Sequence, residues 1–145
     1  MKHYKQPVSV LVVIYTAPSA GSGQAQDVKV LLLERADHPG YWQSVTGSRE
    51  AGEMLTETAI REVREETGIL VAIARQIDRA EIIARDGEGR VERHYVLIVF
   101  AGRPLSGDVR AGDDAAEARW VANSEFGRLN LTEDTRRILA GGSPL

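Results

Sequence analysis

The stretch "GSREAGEMLTETAIREVREETGI", Gly47–Ile69, joins a glycine-punctuated, acid-bearing turn to a segment of strong helical period. Apolar Ala59, Ile60 and Val63 recur at spacings of three and four, which turns one stripe of a helix toward a core. Thr56 is placed to cap the start of that helix, and Gly68 to end it in the left-handed conformation. Glu62, Glu65 and Glu66 stand at i, i+3 and i+4. They share an arc of roughly 100° beside the apolar stripe, so three carboxylates are expected half-sheltered at the edge of the core.

That arrangement needs an offset. Like charges at this spacing destabilise a helix by a few tenths of a kcal/mol, and partial burial raises the cost. The acids also lie toward the negative end of the helix dipole. Arg61 and Arg64 are the cations at hand, but helical geometry projects both away from the carboxylate arc. A hard divalent cation is the economical counter-charge, since Mg²⁺ takes oxygen ligands from carboxylates and substrate phosphates together. A solvated acidic helix face is the plainer alternative, and "EVREE" alone does not decide between the two.

Outward from the helix the chain reads as strands. Val8–Tyr15 is a β-branched and aromatic run suited to a strand buried on both faces, with Val28–Arg35 as its partner across an exposed connection at Ala17–Asp27. Tyr41–Thr46 feeds the glycine turn, with Trp42 expected to pack beneath it. Ile77–Ala84 and Val91–Ala101 flank "RDGEGR", a tight hairpin, and "ARWVA" (Ala118–Ala122) is a short last strand whose Trp120 is expected in the core. Thr132 opens a C-terminal helix. Strands around one strong helix predict a mixed α/β (α+β) domain.

The 145 residues amount to one domain, 1–145, with its core at about 8–140. The chain has no cysteine, which removes disulfides, thiolate metal sites and cysteine nucleophiles and fits a reducing, cytoplasmic setting. A net charge of −3 gives no broad basic surface, so nucleic acid is not expected as a partner. The run "VSVLVVIY" is far short of the ~20 apolar residues of a membrane span, so no membrane partner is expected either. Pro7 opens that run and no small-residue cleavage site follows it, which argues against a signal peptide.

The order Gly47, five residues, Glu53, seven residues, Arg61-Glu62-Val63, one residue, Glu65-Glu66, one residue, Gly68-Ile69 resembles the Nudix box at nine positions over 23 residues. With the flanking strands the likeness runs from about Val8 to Ala140. It implies a Nudix fold, a mixed β-sheet between helices with the box as loop–helix–loop, and hydrolysis of a small-molecule diphosphate substrate with Mg²⁺ or Mn²⁺. By the same resemblance Glu62 and Glu66 are metal ligands, and Glu65 is a second ligand or the base that deprotonates water. A backbone carbonyl at Thr46 or Gly47 completes the shell. Arg61 joins Glu62 and Glu65 in the catalytic set and pairs with Glu53, while Gly47, Glu53, Arg61 and Gly68 shape the box. An acid beyond the box often serves as ligand or base in this family, which selects Asp114 first, then Glu117, with Asp113 beside them. Arg35, Gln43 and Arg93 are the substrate-binding candidates. His94 is expected to be held structurally, and a homodimer is an assembly similar enzymes adopt.

For substrate, "PVSVLVVIY" and "VLLLERADHPGYWQSVTGS" resemble bacterial dihydroneopterin triphosphate pyrophosphatases. The second half lacks their Trp-Arg-His-Arg-Tyr segment and resembles general nucleotide-cleaving Nudix proteins. The expectation is therefore a nucleotide or nucleotide-sugar substrate, with the pterin as the alternative. A non-catalytic ligand-binding module would be expected to lose box carboxylates, and none is missing.

Overall fold

The computed structural model describes residues 7–16, 28–112 and 114–140. The connection expected at Ala17–Asp27 and the candidate Asp113 lie outside the described residues. Among them, eight strands and two helices follow the chain as β1 (Val8–Thr16), β2 (Lys29–Arg35), β3 (Tyr41–Gln43), β4 (Val45–Ser48), α1 (Leu55–Thr67), β5 (Leu70–Arg85), β6 (Val91–Ser106), β7 (Ala115–Ala122), β8 (Asn130–Leu131) and α2 (Glu133–Ala140). A 3-10 turn at Asn123–Arg128 precedes β8. Neither helix is long and apolar enough to cross a membrane.

The strands form a mixed sheet in the order β5-β6-β1-β2-β3-β8, with β4 also pairing β1 and β7 pairing β2. β1 lies parallel to β6 and antiparallel to β4. It pairs with β2 as expected, among the described residues only at Tyr15–Val30 and Thr16–Lys29, and beyond them the two strands take separate partners. Buried on both faces, β1 feeds two cores by the period-2 alternation of a strand. Val10, Val12 and Ile14 join Ala59 and Val63 of α1 in one core. Leu11 and Val13 join Trp42, Leu131 and the apolar side of α2, including Ile138 and Leu139, in the other. A mixed sheet between helices results, as the family resemblance implies.

Trp42 therefore packs on the sheet face opposite α1, not beneath the glycine turn, with Arg119 stacked 4.7 Å from its ring centroid. Trp120 is half-buried against the α1-side core. β5 and β6 each run 16 residues, well beyond the expected ends. Bulges break the alternation of β5 at Leu70/Val71, Ile73/Arg75, Gln76/Asp78 and Ala84/Arg85, which hides the strand's full length in the sequence. At the hairpin between them, Asp86 accepts from the backbone N–H of Glu88 and Arg90 and Gly89 takes φ +82°.

Candidate active site

α1 begins at Leu55, where the helical pattern starts, but Thr56 does not cap it and lies exposed inside its first turn. The capping comes from acids: Glu57 accepts from the Met54 N–H at 2.8 Å and Glu53 accepts from the Thr58 hydroxyl at 3.0 Å. Gly68 ends the helix at φ +77°, donating its N–H to the Arg64 carbonyl. Two further backbone donors reach the C-terminal turn, Arg110 N–H to the Thr67 carbonyl and Gly112 N–H to the Glu66 carbonyl, both at 2.9 Å. The loop after β6 thus satisfies carbonyls that a helix end leaves open. It also brings Asp114 to the side of Glu66.

Arg61 does not project away from the acids. Its Nε donates to Glu53 Oε2 at 2.7 Å, one terminal nitrogen donates to Glu53 Oε1 and the Ser48 carbonyl at 3.0 Å, and the other reaches Glu62 at 2.9 Å and Glu65 at 3.3 Å. A long, forked side chain can bend back along the helix in a way that an ideal Cβ direction does not convey. Bound to this guanidinium, Glu53 titrates at about 2, while the carboxylates hold the Arg61 pKa above its ordinary value.

The three helix carboxylates occupy different surroundings. Glu62 is 12% exposed and lies against Gly47, whose missing side chain leaves the room: a Cβ there would overlap Glu62 Cγ, Cδ and Oε1. Burial raises the Glu62 pKa despite the Arg61 bond. Glu65 is mostly exposed at the end of the Arg61 fork. Glu66 lines a hollow of ≈ 420 Å³ with Asp114, Thr46, Gln43 and Arg35. Among the described residues no three acidic or histidine side chains form a closed metal-binding group. The donor set is nevertheless of the right chemistry for a hard divalent cation: hard carboxylate oxygens, one of them desolvated and charged against its burial.

Arg35, Gln43 and Thr46 also line a larger cleft of ≈ 620 Å³, so the two spaces are contiguous. Arg35 is held by Asp37 through bonds of 2.8 and 2.6 Å. Arg93 lines only the larger cleft, 5.0 Å over the ring of Tyr95. Glu117 sits exposed on β7 opposite Glu34 and lines neither space. His94 is held by Glu81 at 2.7 Å. Sequence reasoning did not single out Tyr95, Asp134 or Gly112. A glycine immediately before an acid pair was the available signal for the last of these.

These features define a class of protein in which an acid-bearing helix packs on a mixed sheet, and the comparisons narrow it. The NUDIX domain model matches residues 5–141, and the chain belongs to that family. Its members generally use divalent metal ions. The dihydroneopterin triphosphate diphosphatase of Escherichia coli K12 is 53% identical over 77 residues, 52% of this chain but only 45% of that enzyme. The ADP-ribose pyrophosphatase of Methanocaldococcus jannaschii is 34% identical over 106 residues, 72% of this chain and 60% of that enzyme. The solved structure of the E. coli dihydroneopterin triphosphate pyrophosphohydrolase superposes with a TM-score of 0.65 at 26% identity, covering 97% of each chain.

Proposed function

We propose that this chain hydrolyses a phosphoanhydride bond in a nucleotide or a nucleoside diphosphate derivative. The observation that carries the reading is the contiguity of the two spaces. A hollow faced by Glu66 and Asp114 opens through Arg35, Gln43 and Thr46 into a cleft large enough for a nucleoside-sized group.

Glu62, Glu66 and the Gly47 carbonyl would hold the divalent cation, Mg²⁺ or Mn²⁺, with Glu65 or Asp114 adding a ligand. When bound, such an ion neutralises phosphate charge and acidifies a nearby water. The chain's own residues do the rest. Glu65 accepts the proton of the attacking water as the new P–O bond forms and the anhydride P–O bond breaks. Arg61 holds Glu62 and Glu65 in register, and Gln43 and Arg35 orient the phosphates between hollow and cleft. Asp114, beside Glu66, is the rival base. It lines the hollow, whereas Glu65 lines neither space.

A pterin triphosphate is the second reading, favoured by the 53% identity over 77 residues to the diphosphatase of that substrate. The test is a Mg²⁺ assay over nucleoside triphosphates, ADP-ribose, dinucleoside polyphosphates, nucleotide sugars and dihydroneopterin triphosphate, resolving phosphate from pyrophosphate. Glu65→Gln and Glu66→Gln should each lower turnover at least ~100-fold in a folded protein, within the 10²–10⁴ range of acid–base contributions. Near wild-type turnover in the folded double variant refutes the assignment. A 100-fold loss in Asp114→Asn with little loss in Glu65→Gln moves the base to Asp114.

A further inference from the structure

The larger cleft holds groups that phosphate chemistry does not need. Tyr95 is 9% exposed, buried in the α2-side core with its hydroxyl turned to Asp134 Oδ2 at 3.4 Å. Arg93 stacked on its ring fixes that orientation. Asp134 is half-buried, lines the cleft, and receives no other hydrogen bond or ion pair among the described residues. The other cleft acids differ. Glu81 is taken by His94, and Glu133 is exposed to solvent. Beside Tyr95 on the same sheet face, its strand partner Ile82 lines the cleft half-buried. A half-buried carboxylate supplied by one long bond next to a partly open apolar side chain suits a flat ring with donors on its edge.

We propose that the Tyr95–Asp134 pair selects a ring bearing adjacent N–H donors, the 2-amino-4-oxo-pyrimidine edge common to guanine and pterin. Asp134 accepts from the ring N–H and the exocyclic amine together, as a carboxylate accepts a paired donor fork. Adenine sets a ring-nitrogen acceptor beside its amine and leaves one carboxylate oxygen facing a lone pair. Hypoxanthine keeps the ring N–H and lacks the amine. The order is therefore guanine above hypoxanthine above adenine. The inference rests on the hydrolase reading for the location of the ring, and it predicts binding in its own right. It also assigns one ring-edge chemistry to both proposed substrate types.

The test separates binding from turnover. Calorimetry on the full chain with GMP, IMP and AMP, which have no anhydride bond, should give affinities falling at least about tenfold from GMP to AMP, with IMP between. Neopterin in the same titration tells a pterin from a purine source by which of the two binds more tightly. Asp134→Asn should bring the GMP/AMP ratio toward one, and Tyr95→Phe, which keeps the ring under Arg93, should lower it partway. Equal affinity for GMP and AMP in the wild type overturns the proposal. So does an unchanged ratio in a folded Asp134→Asn protein. Selective GMP binding without hydrolysis of any anhydride in the panel, nucleoside triphosphates, ADP-ribose, dinucleoside polyphosphates, nucleotide sugars and dihydroneopterin triphosphate alike, would uphold this inference and defeat the hydrolase reading.

Discussion

Replacing Gly47 by alanine tests the packing that places Glu62. Gly47 does not have a positive φ, so alanine meets no backbone penalty there. The added methyl instead meets the Glu62 side chain, which is 12% exposed and bonded to Arg61 at 2.9 Å. Glu62 must leave its place or β4 must move from α1, and both are held. Overpacking of this kind costs about 1–3 kcal/mol. For a domain of this size that corresponds to a melting temperature lower by roughly 3–10 °C. Glu62→Ala vacates the same space, so the pair should be non-additive. Urea unfolding of wild type, Gly47→Ala, Glu62→Ala and the double variant should give a coupling energy of at least ~1 kcal/mol, with the alanine at 47 nearly harmless once Glu62 is gone. Additivity within ~0.5 kcal/mol would show that the two residues do not touch, and the account of the site would fail with it.

Arg61→Met keeps the aliphatic stem and removes a guanidinium shared by Glu53, Glu62, Glu65 and the Ser48 carbonyl; urea unfolding should show a loss of about 1.5–3 kcal/mol, the range for hydrogen bonds to charged groups. The Glu53 pKa lies at about 2, below the ~4.3 of an unfolded chain, so its contribution is complete above that value and is lost as pH falls toward 2. The stability gap between wild type and Glu53→Gln should therefore be nearly constant from pH 5 to 7, shrink to roughly a quarter by about pH 2.5 and vanish only below pH 2; a gap that widens in acid contradicts the pairing. At Gly112 a Cβ would lie 2.6 Å from the Glu65 carbonyl and 3.0 Å from Glu66 Cα, both backbone atoms, so Gly112→Ala must push the loop off α1. Amide exchange at Arg110 and residue 112 should speed up and turnover should fall, with Asp114 displaced; unchanged exchange would remove Gly112 from this role.

Much of this was legible because it is local. The 3.6-residue recurrence of Ala59 and Val63 and the terminal Gly68 are properties of the chain's near neighbours, and the helix follows from them. What escaped depends on residues far apart in sequence. Trp42 reads as packing beneath the glycine turn, yet the alternation through Gln43, and the strand pairing of Trp42 with Leu131, turn it to the other face. Thr56 does not serve as the cap because the helix begins one residue before it, at Leu55, and Glu57 accepts from the Met54 N–H instead. Asp114 could be named as a candidate from its position near the box. Its approach to Glu66 depends on two backbone bonds from the preceding loop, and no sequence pattern encodes those.

The acidic helix poses one electrostatic question, and Arg61 answers only part of it. Three carboxylates near the negative end of a helix require positive charge, and a divalent ion is a sufficient answer on charge alone. The structure shows that a cation is already built in: Arg61 touches Glu62 and Glu65 while anchoring to Glu53. Glu66 faces the hollow with Asp114. Two carboxylates, Glu66 and Asp114, therefore meet on the hollow side of α1. Burial still raises the Glu62 pKa with Arg61 in contact, so one guanidinium does not meet the full demand. The helix folds with a partial counter-charge from its own sequence, and the side of α1 that faces the hollow carries Glu66 beside Asp114.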